Sequence, residues 1–92
     1  MDRSGSFDDG DGAARRYARL LVLEIKMYHQ EAVVTGRRER DLANRLGGEI
    51  ERARLVYERR VPASVRAQSN YFDDELVQTL AAGDRSLLSV DR

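Results

Sequence analysis

Apolar residues recur at every third or fourth position through two long stretches of the chain, and this spacing limits what the chain can fold into. Such spacing puts apolar side chains on one side of an α-helix, whereas a strand requires alternation. In the first stretch these residues are Ala14, Ala18, Leu21, Ile25, Tyr28 and Ala32. In the second they are Leu42, Leu46, Ile50, Ala53, Tyr57 and Val61. The sequence therefore predicts two amphipathic helices.

The ends of the first helix are indicated by residues that commonly start or stop helices. Asp11 is a suitable N-terminal cap, and Gly36 can adopt the left-handed conformation that often ends a helix. A short link, 35–37, then joins the first helix to the second, so the two are expected to form an antiparallel hairpin.

The second helix is predicted from about Arg38 to Arg60, because Pro62 pushes the residue before it out of helical conformation. Gly47 and Gly48 lie inside this range, and each costs about 1 kcal/mol relative to alanine in a helix. The glycine pair indicates either a kink or a close contact with another helix.

A third, shorter helix is predicted after a turn at 63–67. Asn70 is its expected cap, with Asp73 at the capping-box position, and Gly83 is its expected end. Its apolar face consists of Phe72, Leu76 and Leu80. Beyond it, Leu87, Leu88 and Val90 are expected to fold back onto the body.

The predicted fold class is therefore all-α, an antiparallel helical hairpin closed by a shorter C-terminal helix. With 92 residues the chain has room for one domain. Residues 1–12 contain Gly, Ser and Asp with little apolar surface and are expected to form a disordered acidic tail. The helical domain is expected to span 13–88, and 89–92 to be a flexible C-terminus.

Composition narrows the classes of function. The chain has no cysteine, which excludes disulfide scaffolds, thiolate zinc sites and cysteine nucleophiles. Met1 to Gly10 do not resemble a secretory signal, and no apolar run is long enough to span a bilayer, so a soluble cytoplasmic protein is expected. Sixteen basic residues balance sixteen acidic ones, which leaves no net charge to attract nucleic acid.

Four segments resemble a family of small, uncharacterised bacterial helical domains, which occur alone or at the C-terminal end of zinc-ribbon-type proteins. The segments are Arg16 to Met27 (RYARLLVLEIKM), Asp41 to Leu46, Tyr57 to Pro62 (YERRVP) and Tyr71 to Asp84 (YFDDELVQTLAAGD). The resemblance covers roughly residues 14–84 and implies a helical fold without a nameable activity. The Gly47-Gly48 pair departs from the family pattern, and the role of an attached module elsewhere in the family is not expected to carry over to these 92 residues.

No group of residues has the pattern of a catalytic or metal site, and no cofactor is expected. His29 is the single histidine and has no second ligand at helical spacing, so a partly exposed structural role is favoured. The adjacent Asp73, Asp74 and Glu75 spread around a helix instead of converging, and they suit its positive N-terminal end. The chain is therefore expected not to be an enzyme.

Four arginines spaced seven apart form the first candidate contact surface. They are Arg38, Arg45, Arg52 and Arg59, which on one straight helix would form a stripe able to follow a phosphate backbone or an acidic protein. Glu49 follows Arg45 and Glu58 follows Arg54 by four residues, so the favoured interpretation is a solvated face with ordinary ion pairs.

A second apolar side of the first helix forms the other candidate surface. Its members are Leu20, Leu23, Met27 and Val34, and Glu24 and Glu31 separate them from the stripe that faces the second helix. A helix that is apolar on two sides needs two neighbours. The third helix is the expected cover, and any part that it leaves open would be a docking or dimer site.

These observations favour a non-enzymatic protein-protein interaction module. It would act as an accessory or adaptor subunit that docks on a larger assembly, for instance the cytoplasmic side of a membrane complex, or that forms a homodimer. The alternative is a nucleic-acid-binding module that uses the arginine stripe, and zero net charge counts against it.

Overall fold

The computed structural model describes residues 4–88 and, in its first helix, the side chains from Gly10 onward. Six α-helices follow one another along this part of the chain. They are α1 (Ser4–Tyr28), α2 (Gln30–Glu39), α3 (Leu42–Arg45), α4 (Gly47–Arg60), α5 (Ala63–Ala67) and α6 (Tyr71–Glu75). Helix α6 runs into a π-helix (Leu76–Leu80), and a 3₁₀ turn (Arg85–Leu88) ends the described chain. No strand occurs within 4–88, so the predicted all-α class is confirmed.

Helix α1 begins earlier than the sequence predicts. It starts at Ser4, so the backbone of 4–12 is helical where a tail without regular structure was expected. Asp11 consequently lies within the helix and does not cap it. Residues 1–3 and 89–92 lie outside the described residues. The second range includes Val90, one of the residues expected to fold back onto the body.

The single long first helix of the prediction is bent at His29. The backbone there leaves helical geometry, with φ −133° and ψ 42°. Helical hydrogen bonds nevertheless continue on both sides, from the His29 amide to the Ile25 carbonyl (3.0 Å) and from the Val33 amide to the His29 carbonyl (2.9 Å). The bend separates α1 from α2 without a loop between them.

Gly36 is not the helix stop that its residue type suggests. Residues 35–37, the predicted link, lie inside α2, and the left-handed residue that ends this helix is Arg40, with φ 58° and ψ 40°. Gly36 is instead required by packing, because a Cβ atom there would lie 2.7 Å from Leu42 Cδ1 and 3.0 Å from Leu42 Cα. Helices α2 and α3 can approach closely only because this position lacks a side chain.

The glycine pair marks a kink. The predicted second helix divides at Leu46 (φ −112°, ψ 15°) into α3 and α4. A Cβ atom on Gly47 would have no neighbour within 4 Å, and one on Gly48 would meet only the end of the Arg52 side chain. Neither glycine is needed for a close helix contact, so the kink is the alternative that the structure selects.

The core forms where α4, α6 and the π-helix pack against one side of α1. Tyr57 lies at its centre, with its ring centroid 6.5 Å from Tyr17 and 5.4 Å from Phe72. Tyr17 is thus near Tyr57 while His29 is near Glu49, so α1 and α4 run in opposite directions. The fully or nearly fully buried residues of α1 are Ala14, Ala18, Val22 and Ile25.

The turn after α4 agrees with the prediction, but the cap of α6 does not. Val61 is extended before Pro62, and α5 occupies the predicted turn 63–67. Asn70 precedes α6 without donating or accepting a side-chain capping bond. Asp73, expected in a capping box, accepts a hydrogen bond from Arg54 Nη2 at 2.8 Å. This ion pair connects α6 to α4.

The π-helix leaves carbonyl groups that α2 satisfies. Arg37 Nε donates to the Leu80 carbonyl at 2.8 Å, and its Nη2 donates to the Thr79 carbonyl at 3.0 Å. Carbonyl groups at a helix end need such partners because the helix supplies none. One arginine side chain therefore holds α2 to the C-terminal part of the molecule.

Replacing Gly36 by alanine should destabilise the protein, whereas replacing Gly48 by alanine should not. At Gly36 the new methyl group must displace Leu42, and overpacking of this kind costs about 1–3 kcal/mol. At Gly48 space is available, and alanine should gain up to about 1 kcal/mol from helix propensity. Thermal unfolding of the two variants measures both effects, and equal midpoints would show that Gly36 is not a packing requirement.

The stabilising effect of Asp84 should depend on pH. Hydrogen bonding from the Ser86 hydroxyl (2.6 Å), and less strongly the nearby Arg40, lower the pKa of the Asp84 carboxyl group. A lowered pKa means that the stabilisation is present above the ordinary aspartate pKa and is lost as pH falls through the lowered value. The difference in melting temperature between wild type and Asp84→Asn should therefore be largest at neutral pH and shrink in acid. A difference independent of pH would contradict this origin.

Candidate functional site

Three apolar residues of α1 lie exposed on the side of the helix opposite the core. We call Leu20, Leu23 and Met27 the outer face of α1; their exposed fractions are 52%, 37% and 60%. At about 100° per residue they lie roughly 150–210° around the helix from the middle of the buried stripe. Val34, on α2, is 57% exposed. Helix α1 is therefore apolar on two sides, as its sequence predicts.

The expected cover for this outer face, the third helix, lies elsewhere. Helix α6 and the π-helix pack on the core side of α1, where the Arg15 guanidinium stands 4.5 Å from the centre of the Tyr71 ring. Arg19 Nε lies 3.6 Å from the Glu75 carboxylate on the same side. The prediction that the third helix covers the outer face is thus wrong, and none of the residues from 10 to 88 buries it.

A shallow groove between α1 and α4 adjoins the outer face. Its volume is about 240 Å³, and we call it the α1/α4 groove. Its lining residues are Leu21, Glu24, Ile25, Tyr28, His29, Glu49, Arg52, Ala53 and Val56. Tyr28, which the periodicity placed in the core, is 76% exposed, and Val56 is 41% exposed. The exposed apolar surface therefore continues from α1 onto α4, with Glu24 between the two parts.

Leu55 and Val56 were not identified from the sequence as surface apolar residues. Leu55 is 48% exposed and lies on the far side of α4 from Tyr57, because the two residues are about 200° apart on the helix. The spacing of apolar residues does indicate that both are exposed, since neither residue belongs to the stripe through Ala53 and Tyr57. Leu55 alone is an isolated surface leucine, which is ordinary for folded proteins.

The four arginines of the predicted stripe do not lie on one helix. Arg38 is on α2, Arg45 on α3, and Arg52 and Arg59 on α4, so two changes of backbone direction interrupt the row. Their seven-residue spacing would have aligned them only on a continuous helix.

Three of these arginines contact a nearby carboxylate. Arg45 donates two hydrogen bonds to Asp41, at 3.0 and 2.7 Å, and its guanidinium lowers the pKa of that carboxyl group. Arg52 lies 2.7 Å from Glu49, and Arg38 lies 3.3 Å from Glu39. The observed ion pairs differ from the predicted ones, since Glu49 pairs with Arg52 instead of Arg45. Likewise Arg54 pairs with Asp73 instead of Glu58.

One cavity beside Leu20 has no acid-base group among its described lining residues. It has a volume of about 440 Å³ and lies where α1 meets the end of α4. Its lining residues are Gly10, Ala13, Ala14, Arg16, Tyr17, Leu20, Arg60, Val61 and Pro62. Among residues 10–88, no carboxylate or histidine lines this cavity, and the two arginines at its edge are long, exposed side chains. It extends the apolar surface at Leu20 toward the N-terminal part of α1.

His29 lies at the bend after α1, with Nε2 3.6 Å from Glu49 Oε1. Its position is partly exposed, as a structural histidine at a helix bend would be. Among residues 10–88, whose side chains the structure describes, no three histidine, cysteine, aspartate or glutamate side chains converge as metal ligands. In the same part of the chain, no helix is both long and apolar enough to span a membrane.

Comparison of the chain with models of protein families, with curated proteins and with solved structures finds no match.

Two apolar residues of α1 should respond very differently to truncation. Replacing Ile25, which is 6% exposed, by alanine should lower the free energy of unfolding by about 2–5 kcal/mol, because a cavity forms in the core. Met27, 60% exposed, should change the free energy of unfolding by about 0.5 kcal/mol or less. Chemical denaturation of dilute protein measures both values. A comparable loss for Met27→Ala would mean that the outer face is internal to the folded monomer.

Proposed function

We propose that this chain is a non-enzymatic protein-protein interaction module that docks through the outer face of α1. Exposed leucines are common on folded proteins when they are isolated. Here Leu20, Leu23 and Met27 follow one another at helical spacing along a single helix and are more than one third exposed. This alignment is the observation that carries the proposal, because contiguous apolar patches are typical of interaction sites.

The rigid mounting of the outer face supports a docking role. The opposite side of α1 is fixed by Ala18 and Val22, which are fully buried against α4, α6 and the π-helix. A partner that binds the outer face therefore meets a helix that is already formed and oriented. Preformed surfaces bind with a smaller entropic cost than segments that must fold on binding.

The partner would contact more than one helix. Val34 extends the apolar surface onto α2, and the α1/α4 groove extends it toward Tyr28 and Val56. Apolar residues with an aromatic side chain at the margin are common in interaction surfaces. An accessory or adaptor subunit of a cytoplasmic assembly, including one docked peripherally on a membrane complex, is the role that such a surface suits.

A nucleic-acid-binding role has less support. Arg38, Arg45 and Arg52 contact carboxylates of the same chain. Phosphate binding would have to compete with these ion pairs, and the kinks divide the row among three helices. These contacts support the interpretation that the arginines form a solvated face with ordinary ion pairs.

The proposal predicts that charge on the outer face abolishes partner recovery without unfolding the chain. Wild type, Leu23→Glu/Met27→Glu and the control Leu55→Glu should have the same helical circular dichroism spectrum. When each is used as bait in lysate of cells that express the chain, wild type and Leu55→Glu should retain the same cross-linked proteins, including further copies of the chain. The double variant should lose them.

Leu55→Glu is a matched control because it also introduces a glutamate at an exposed leucine, on the outward side of α4. Equal recovery by all three baits would place the interaction surface elsewhere. Unfolding of the double variant, seen as loss of the helical spectrum, would instead make the outer face part of the core.

A further inference from the structure

The outer face of α1 has the seven-residue repeat of a two-helix contact. Ala13, Leu20 and Met27 are spaced by seven within α1, and Leu23 lies three residues after Leu20, so they occupy the a and d positions of a heptad. Val34 continues the seven-residue spacing on α2, beyond the bend at His29. All five are exposed in the folded chain. Core packing therefore leaves this repeat available to a helix outside the described chain.

Charged residues flank the repeat with a consistent sign on each side. Arg19 and Lys26 occupy the g positions, and Glu24 and Glu31 occupy the e positions. All four are exposed. In coiled coils the residues at e and g lie beside the apolar seam and set the choice and orientation of the partner.

This arrangement of charge is complementary to itself in only one orientation. In a parallel pair, each g residue faces the following e residue of the other helix, which brings Arg19 to Glu24 of the second copy within α1. The same rule brings Lys26 toward Glu31 across the bend at His29. Two-fold symmetry makes each contact twice, giving four attractive pairs. In an antiparallel pair g faces g and e faces e, so like charges meet. The charges therefore favour a parallel, in-register second copy.

The fold permits this pairing without movement of a helix, although the exposed Arg19 side chain must turn from Glu75 toward the second copy. Helices α4 and α6 occupy the opposite side of α1, so a second copy can approach the outer face without displacing either one. Ala13 is small enough to allow close approach at the N-terminal end of the repeat. Arg16 and Gln30 occupy the neighbouring d positions, so the apolar contact is concentrated between Leu20 and Met27.

We propose that the occupant of the outer face is a second copy of the same chain, paired through α1 in a parallel, in-register two-helix contact. This inference rests on the proposed function, since it names the partner of the same surface. The bend at His29 limits the straight part of the contact to α1, so the Arg19 and Glu24 pairs form entirely within α1.

Cysteine cross-linking tests the orientation directly, because the natural chain contains no cysteine. Ala13→Cys and Met27→Cys lie about 21 Å apart along the helix, at 1.5 Å per residue. In a parallel, in-register dimer each cysteine meets its own copy, so both variants should form disulfide-linked dimers under mild oxidation. Leu55→Cys on α4 should not.

In an antiparallel dimer the two copies of residue 13 would lie at opposite ends of the contact, so Ala13→Cys would remain unlinked. Cross-linking of Leu55→Cys as fast as that of the other two would indicate random collision. Either result would overturn the parallel pairing.

Sedimentation of the wild-type chain and its variants tests the dimer itself. Wild type and Leu55→Glu should dimerise with rising concentration, and Leu23→Glu/Met27→Glu should remain monomeric. Glu24→Lys/Glu31→Lys places basic residues on both flanks and should weaken dimerisation by at least about tenfold at low salt, less at high salt.

The outcomes separate this inference from the proposed function. If wild type stays monomeric at all concentrations while the double glutamate variant loses a different protein partner, the second-copy inference is overturned and the docking function stands. If a wild-type dimer survives both pairs of substitutions, the dimer uses another surface and the inference is overturned.

Discussion

The structure depends on the packing of one stripe of α1 against everything that follows it. Ala14, Ala18, Val22 and Ile25 are buried, and the small side chains of the two alanines let α4 and α6 approach the α1 backbone closely. Tyr57 fills the space between the helices and contacts Tyr17 and Phe72. A domain of this size has a small core, so few residues determine its stability. Because the core uses one side of α1 only, the other side remains available for binding.

The helical class and most of the core followed from the spacing of apolar residues, but the direction of the α1 stripe did not. The spacing predicts that Leu21 faces the second helix, whereas Val22 is fully buried and Leu21 is only partly buried. Adjacent residues lie about 100° apart, so a stripe through Ala14, Ala18 and Ile25 fits either choice. The position of α6 and the π-helix decides between them, and no local spacing in the sequence encodes it.

Helix ends were less predictable because one residue type serves several purposes. Gly36 fitted a helix stop, yet its role is the close contact with Leu42, while Arg40 adopts the left-handed conformation. The π-helix was also missed, since its extra residue per turn changes the register and Arg37 from a distant part of the sequence satisfies its carbonyl groups. The outer face was identified from sequence, but its exposure depended on where the third helix packs. The arginine row was identified as well, and the kinks that divide it were only partly signalled by Gly47 and Gly48.

The central claim is that the outer face of α1 is exposed in the isolated chain and covered in the functional one. Oxidation of Met27 measures this most directly, because peroxide converts an exposed methionine to its sulfoxide and shielding slows the reaction. The rate at Met27 should be high in dilute chain and fall severalfold as concentration rises or a partner binds, while free methionine added to the same sample serves as the internal reference. A Met27 rate unchanged across these conditions would show that nothing covers the outer face and would contradict the account.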